Sequence, residues 1–286
     1  MNLSGIWLPI ITPFLNDEID FDSYDRLLEH YISKNISGLI VLGTTGECPA
    51  VDDDEARLLV EHTVEKIGRR IPVFAGVGGN YTKHVVEKIR SLDNTGIDGY
   101  LSVVPYYNRP DQRGIYHHFK SISETTSKQI MIYNIPYRTG VNMENETVFK
   151  TTELTNIIGI KDSCGNLKQS MELIFNKPEN FSVMTGEDLM FYTMLGLGGD
   201  GGVLASAHIY TEKFADIHSL MKSNNHLKAI QIWKELTGLV ELLFCQPNPA
   251  PIKYVLKNKN LITDDEVRLP IMAIDKQLGG KLDQFI

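Results

Sequence analysis

Three neighbouring stretches, IMIYNI (130–135), NETVFKTTEL (145–154) and IIGIK (157–161), contain the pattern that decides the fold. The first and third are short and almost continuously apolar, which is typical of parallel strands that are covered on both faces. The stretch between them has a helical pattern. Strand, helix and strand in this order predict one unit of a parallel α/β fold.

The same alternation runs along most of the chain. Strands are predicted over 5–12, 38–42, 72–76, 99–104, 130–135, 157–161, 181–185 and 201–205, and helices between them include 21–33, 53–67, 82–92, 114–126 and 145–154. Eight strand–helix units within about 205 residues favour closure into a (β/α)8 TIM barrel. A doubly wound open sheet is the rival architecture.

Beyond the eighth strand the pattern stays helical, over 211–222, 226–244 and 249–257. No linker or low-complexity tract separates this part from the rest. We therefore predict a catalytic barrel over residues 1–210 and a C-terminal helical extension over 211–286 that packs on it.

Composition limits the classes of function. The chain has 286 residues, of which 42% are hydrophobic and 22% charged, and this balance supplies ample core for a globular protein. A net charge of −8 argues against a nucleic-acid partner. Residues 1–7 lack the pattern of a secretory signal, and no apolar run approaches the length of a membrane span. Three scattered cysteines fit a reducing compartment, so a cytoplasmic location is predicted.

Functional residues of such barrels gather where the strands end, at their C-terminal edge. The segments that follow strands and carry polar groups are 43–47, 105–110, 133–140, 161–163, 185–188 and 201–203. Hydroxyls, phenols, one lysine and arginine side chains are therefore expected to meet at one rim of the barrel. No HxH, HExxH or CxxC spacing occurs, so no metal site is predicted.

Lys161 is the most informative of these residues because its side chain leaves a buried strand. A free lysine has a pKa near 10.4, and a neutral amine at pH 7 then costs about 4.6 kcal/mol. Burial and a nearby cation such as Arg138 would lower that pKa and make the amine a nucleophile. The alternative is a structural ion pair with Asp162 or Glu187.

Other rim residues have a functional and a structural interpretation each. Tyr133 could transfer protons beside the amine, or it could be an ordinary core tyrosine. Thr44 and Thr45 could relay a proton or bind a carboxylate, or they could cap a helix. Arg138 suits bidentate carboxylate binding, and a solvated loop arginine is the alternative.

Taken together, the motifs resemble the dihydrodipicolinate synthase/N-acetylneuraminate lyase family of class I aldolases over essentially the whole chain. The motifs that carry the resemblance are Gly-Thr-Thr-Gly-Glu (43–47), Tyr-Asn-Ile-Pro (133–136), Gly-Ile-Lys-Asp (159–162), Asn-Pro-Ala-Pro-Ile-Lys (248–253) and Arg-Leu-Pro (268–270). Two further stretches, 105–110 and 137–140, are similar to the synthase branch. Arg138 distinguishes that branch from the neuraminate lyases, which typically have an apolar residue there.

The resemblance implies a lyase that needs no metal or organic cofactor and holds pyruvate as a covalent imine on Lys161. The enamine would condense with L-aspartate 4-semialdehyde, a step of lysine and diaminopimelate biosynthesis. Tyr133, Thr44 and Tyr107 would form a proton relay, with Tyr107 crossing the interface of a homodimer or homotetramer.

Substrate binding is likewise implied. Thr45 would hold the pyruvate carboxylate, Arg138 the semialdehyde carboxylate, and Gly186 and the backbone carbonyl of Val203 would complete the site. Weak or no inhibition by lysine is expected, since Pro49, Asp53, Ala56 and His84 depart from the lysine-sensitive pattern.

Two alternative functions remain open. The stretch 201–206 is closer to some sugar-acid aldolases, so N-acetylneuraminate or a 2-keto-3-deoxy sugar acid is an alternative substrate. A non-catalytic barrel that binds a 2-oxo acid is the third hypothesis. It would not need Lys161, Tyr133, Thr44 and Arg138 together.

Overall fold

The computed structural model describes residues 3–286 and shows a closed barrel of eight parallel strands. In chain order the barrel strands are Gly5–Pro9, Gly38–Val41, Val73–Val77, Gly99–Val103, Gln129–Asn134, Ile157–Asp162, Ser182–Thr185 and Gly201–Val203. Each strand pairs with its neighbours in sequence, and the eighth pairs with the first through Ile6 and Gly202. The (β/α)8 prediction is confirmed, and the open-sheet alternative is wrong.

The predicted strand boundaries differ from the observed ones by a few residues. The largest difference is at the first strand, which ends at Pro9 rather than at residue 12. A small antiparallel hairpin, Phe14–Leu15 with Glu18–Ile19, was not predicted, because two-residue strands are too short to show a period.

Helices follow the barrel strands and continue beyond the last one. They are Phe21–Ile32, Asp53–Ile67, Thr82–Leu92, Gln112–Ser123, Pro136–Thr139, Asn145–Thr151, Leu167–Asn176, Phe191–Gly196, Thr211–Lys222, His226–Leu243, Ala250–Asn258 and Lys276–Leu282. Short 3-10 turns occur at Cys48–Ala50, Asp188–Met190, Ser206–His208 and Asp283–Phe285. In the described part of the chain, no helix combines the length and apolarity needed to cross a membrane.

The N-terminal half of the barrel interior is filled with large side chains. The ring of Trp7 meets that of Phe74 edge-on, with centroids 4.8 Å apart. Glycine makes room for them, since a Cβ on Gly38 would lie 2.7 Å from the Trp7 ring and one on Gly99 would lie 2.5 Å from Phe74. These side chains therefore close the barrel interior at this end.

The C-terminal extension is attached to the barrel through a buried ion pair. Lys253, in the helix Ala250–Asn258, places its Nζ 2.5 Å from Oε1 of Glu47, and both side chains are almost fully buried. The amine also donates to the carbonyl of Glu266, and the other oxygen of Glu47 accepts from the backbone N–H of Arg268. The extension is thus fixed to the turn after the second strand. The division at residues 210 and 211 stays a prediction. Met1 and Asn2, which belong to the predicted barrel and to the N-terminal segment that lacks the pattern of a secretory signal, lie outside the described residues.

We expect Lys253→Met to destabilise the protein by about 3–5 kcal/mol, because it leaves the Glu47 carboxylate buried without a partner. Adding Glu47→Gln should restore part of that loss. Urea unfolding of the single and double variants measures both effects. Equal stability of Lys253→Met and the unmodified chain would contradict the importance of the pair.

Candidate active site

A cavity of about 420 Å³ opens at the C-terminal end of the barrel. Its walls come from the ends of the first six strands and the segments after them. The lining residues are Pro9, Leu42, Gly43, Thr44, Thr45, Cys48, Pro49, Gly76, Val77, Gly78, Lys88, Leu101, Val103, Tyr106, Tyr133, Ile135, Arg138, Thr139 and Lys161. Four of the predicted site residues besides Lys161 therefore share one cavity: Thr44, Thr45, Tyr133 and Arg138.

An irregularity in the sixth strand turns Lys161 into the barrel. Ile130 pairs with Ile157, but the next residue of the fifth strand, Met131, pairs with Gly159, so Ile158 is an extra residue. Ile158 packs in the interior cluster, whereas Ile160 packs between the barrel and the helices. A strict alternation counted from Ile158 would point Lys161 outward, and the extra residue reverses that.

The amine of Lys161 is buried and has no polar partner among the residues that the structure describes. Its residue is 7% exposed, and Nζ lies 4.1 Å from the centroid of the Tyr133 ring. Among residues 3–286, no hydrogen bond or ion pair holds this nitrogen. Burial lowers the pKa of Lys161 to about 8, against the attraction of Asp188 and Glu187 and with help from Arg138. Roughly a tenth of the amine is then neutral at pH 7.

Two carboxylates close to Lys161 in the fold are engaged elsewhere. Asp162 accepts a hydrogen bond of 2.5 Å from the hydroxyl of Ser170. Asp188 accepts two from Ser206, one from its backbone N–H and one from its hydroxyl. Because these hydrogen bonds hold the carboxylates, neither forms an ion pair with the amine in the described structure.

Glu187 is the third carboxylate of this region. Burial raises its pKa to about 7, helped by Asp188 and opposed by Lys161. One of its oxygens is buried without a hydrogen-bond partner among the described residues. A carboxyl group that is partly neutral at pH 7 is a weak partner for an amine. Among the described residues, Lys161 does not form the structural ion pair that was the alternative interpretation.

Tyr133 stands beside Lys161 on the neighbouring strand, in register with it. Burial raises the pKa of its phenol, so the hydroxyl keeps its proton near neutral pH. Ser163, which was not predicted as a site residue, lies close enough to Tyr133 to oppose the rise in its pKa. Its buried Oγ makes no hydrogen bond of normal geometry among the described residues. The phenol can therefore donate a proton. It can accept one only after a neighbouring base has removed its own.

Gly186 borders the lysine side chain rather than the cavity. A Cβ at this position would lie 2.4 Å from Cε of Lys161 and 2.3 Å from Oγ of Ser163. Val203 is buried in the interior cluster that also contains Tyr133. Neither residue lines the cavity as it stands.

The turn after the second strand presents Thr44 and Thr45 to the cavity. Backbone hydrogen bonds from Gly46 to Gly43 and from Glu47 to Thr44 close the turn. Neither threonine caps a helix, since the helix after this turn begins at Asp53 with Asp52 as its cap. The helix-cap alternative is therefore wrong.

The hydroxyl of Thr45 accepts a hydrogen bond of 2.9 Å from the side-chain amide of Asn248. Sequence reasoning did not name Asn248 as a site residue. The only available signal was its place in the motif 248–253, which gives no indication that its side chain reaches the second strand.

Arg138 and Tyr107 lie at the outer rim. Arg138 is exposed on the short helix Pro136–Thr139, and its guanidinium lines the cavity. Tyr107 is 87% exposed, has a left-handed backbone conformation with φ of 72°, and does not line the cavity of its own chain. The structure of one chain thus brings Tyr107 no closer to Lys161 than the rim.

Within residues 3–286, no group of three or more His, Cys, Asp or Glu residues is placed to hold a metal ion. The reactive group that the site does present is an amine. A closed (β/α)8 barrel with an unpaired buried lysine beside a phenol defines a class I, Schiff-base-forming lyase.

The chain belongs to the dihydrodipicolinate synthetase family, whose model matches residues 2–286. It is 48% identical to 4-hydroxy-tetrahydrodipicolinate synthase 2 of Clostridium acetobutylicum over the full length of both chains. It is 38% identical to the synthase of Oceanobacillus iheyensis, with 97% of this chain and 95% of that one covered. The crystal structure of dihydrodipicolinate synthase from Thermotoga maritima superposes with a TM-score of 0.97 at 34% identity, covering 100% of this chain and 98% of that chain.

Lys161→Met is expected to stabilise the fold. The folded pKa is depressed from 10.5 to about 8, so the unfolded chain binds more protons between these values. The amine therefore destabilises the native state below about pH 8, and this contribution disappears as pH rises through 10.5. At pH 7 the variant should gain up to roughly 3 kcal/mol.

Urea unfolding at pH 7 and pH 10 measures this difference, with the exposed Lys168→Met as the matched control. The gain should be larger at pH 7 than at pH 10 for residue 161 and absent for residue 168. An equal or lower stability of Lys161→Met at pH 7 would show that the amine is not strained by burial.

Proposed function

We propose that the chain is a 4-hydroxy-tetrahydrodipicolinate synthase, which condenses pyruvate with L-aspartate 4-semialdehyde. The observation that supports this most directly is the buried and unpaired amine of Lys161 at the wall of an open cavity. The similar proteins named above carry that function in their names. Their reaction belongs to lysine and diaminopimelate biosynthesis, and we place this chain in the same sequence of reactions.

The reaction begins when the neutral amine of Lys161 attacks the carbonyl carbon of pyruvate. A proton moves to the carbonyl oxygen to give a carbinolamine, and loss of water gives the imine. The imine withdraws electrons, so a proton leaves the methyl group and an enamine forms. The enamine carbon then bonds to the aldehyde carbon, and the aldehyde oxygen takes up a proton. The amino group of the semialdehyde then attacks the imine carbon and displaces the nitrogen of Lys161, which closes the product ring and frees the lysine.

Tyr133 is the proposed donor and acceptor of these protons. Its phenol is protonated, buried and next to the amine, so it can deliver a proton to the departing hydroxyl group. Thr44 at the cavity wall would continue the relay. Tyr107 of a second copy would complete it, and the exposure and left-handed backbone of this residue favour contact with another chain.

Substrate binding is assigned to the rest of the rim. Thr45 would donate to the pyruvate carboxylate, and the backbone carbonyl of Val203 would complete its binding. Gly186 would leave the lysine stem the space it occupies. Arg138, exposed at the mouth, would bind the carboxylate of the semialdehyde, which favours an acidic amino-acid aldehyde over a neutral sugar aldehyde.

Assembly and location follow the same proposal. A homodimer or homotetramer is proposed because the relay is incomplete within one chain. The cytoplasm is proposed because that is where amino-acid precursors are made. Weak or no inhibition by lysine remains the expectation, and no metal or organic cofactor takes part in the proposed steps.

Incubation with pyruvate and borohydride is expected to reduce the imine and add one pyruvate-derived group to Lys161. Peptide mass spectrometry locates the adduct, and Lys161→Met is the control that should remain unmodified. The trapping rate at low pyruvate should fall about tenfold per pH unit below the pKa of about 8, since only the neutral amine reacts. An adduct on another residue, or none at all, would refute the mechanism.

Arg138→Leu should lower kcat/KM for aspartate semialdehyde by about 10- to 100-fold, the range expected for a lost charge-assisted hydrogen bond. Trapping of pyruvate should change far less, because the arginine would contact only the second substrate and makes the smallest contribution to the pKa of Lys161. Arg113→Leu, an exposed arginine that does not line the cavity, is the matched control. If Arg138→Leu retained full activity with the semialdehyde and gained none with sugar aldehydes, this role of Arg138 would be wrong.

A further inference from the structure

Asn248 connects the C-terminal extension to the cavity wall. It lies just before the helix Ala250–Asn258, more than 200 residues after Thr45 in the chain, and it is buried. Its Nδ2 donates to Oγ1 of Thr45 over 2.9 Å. This is the direct polar contact through which the extension reaches a residue of the proposed pyruvate site.

The direction of this hydrogen bond determines what the Thr45 hydroxyl can still do: it accepts from Asn248 and does not donate to it. A hydroxyl has one proton to donate, and accepting from Asn248 leaves that proton free. No other protein group in the described part of the chain hydrogen-bonds to this hydroxyl. Since Thr45 lines the cavity, this proton is available to a ligand that can accept it.

We propose that Asn248 is a positioning residue, which orients the Thr45 hydroxyl to donate to the carboxylate of a bound 2-oxo acid. The inference rests on the proposed function, because it takes pyruvate as the molecule bound at Thr45. It assigns part of the 2-oxo acid affinity to the C-terminal extension, which does not itself reach the cavity.

Both partners of this hydrogen bond are held rigidly. Glu47, two residues after Thr45, pairs with Lys253, five residues after Asn248, in the buried ion pair described above. The carbonyl of Gly46 accepts a hydrogen bond of 2.8 Å from the hydroxyl of Thr12. The relative position of Thr45 and Asn248 is therefore set by the surrounding structure, and the hydrogen bond between them needs little further ordering.

The other end of the Asn248 amide argues for a functional role. Its Oδ1 is buried and has no hydrogen-bond partner among the described residues. A buried unsatisfied oxygen costs stability, so an apolar residue would suit a purely structural position better. The amide is kept in an orientation that favours Thr45 at the expense of its own oxygen.

Asn248→Asp is the most informative variant because it keeps the shape and reverses the hydrogen bond. An ionised aspartate can only accept, so above its pKa the Thr45 hydroxyl would donate to it and turn a lone pair toward the ligand carboxylate. Asn248→Ala removes the bond without reversing it. Gln246→Ala is the matched control, since Gln246 lies two residues away and hydrogen-bonds Asp275 instead of the cavity wall.

The measurement is the concentration of ketone that gives half the maximal rate of borohydride trapping on Lys161, for pyruvate and for acetone. Acetone lacks the carboxylate and reports only on the amine. For pyruvate we expect an increase of about 5- to 10-fold in Asn248→Ala and more in Asn248→Asp. For acetone, and for Gln246→Ala with either ketone, we expect less than about a twofold change, and the maximal trapping rate should stay near that of the unmodified chain.

The outcomes separate this inference from the proposed function. Half-saturation that changes equally for pyruvate and acetone, or for neither, would overturn the role of Asn248. Loss of the adduct in the unmodified chain would instead overturn the proposed function, and this inference with it. Where a variant unfolds at the assay temperature, trapping at a temperature below its measured midpoint of unfolding provides the comparison.

Discussion

The burial of one amine, without a polar partner in the described part of the chain, is the constraint on which the rest of the site depends. Lys161 would lie more stably in water or against a carboxylate, and the fold prevents both. The barrel interior removes most of the solvent, and hydrogen bonds from Ser170 and Ser206 occupy Asp162 and Asp188. Glu187 is the remaining carboxyl group, and burial raises its pKa. Because desolvation disfavours the ammonium form, the amine is neutral often enough to attack a carbonyl carbon.

The closed end of the barrel makes this arrangement possible. Trp7 and Phe74 fill the N-terminal half of the interior, and glycines on adjacent strands give these rings their space. Because these side chains fill one end, the cavity lies at the other end, where the strands present Tyr133 and Lys161 in register. The same packing that stabilises the barrel therefore limits where a substrate can bind and which side chains it can meet.

The C-terminal extension contributes to the site through the turn it holds. Lys253 and Glu47 form an ion pair that packing alone would not require, and it lies two residues from Thr45. Burial lowers the pKa of Lys253, although Glu47 opposes this, so the pair has a real desolvation cost. The pair joins the turn that carries Thr45 to the helix that follows Asn248, so it holds together the two segments between which that hydrogen bond forms.

The sequence by itself determined the architecture and most of the candidate site. Short apolar runs that alternate with amphipathic stretches can bury their surfaces only as parallel strands covered by helices, and eight of them close a barrel. Residues at the ends of those strands must then share a rim, which identified Lys161, Tyr133, Thr44, Thr45 and Arg138. Only the tertiary structure decided which way Lys161 points, because the extra residue at Ile158 reverses the alternation that a sequence pattern assumes. Only the structure revealed Asn248 and the buried ion pair, since contacts between residues about 200 positions apart depend on packing, which no local pattern records. The same holds for the approach of Ser163 to Tyr133, although these two residues are closer in sequence.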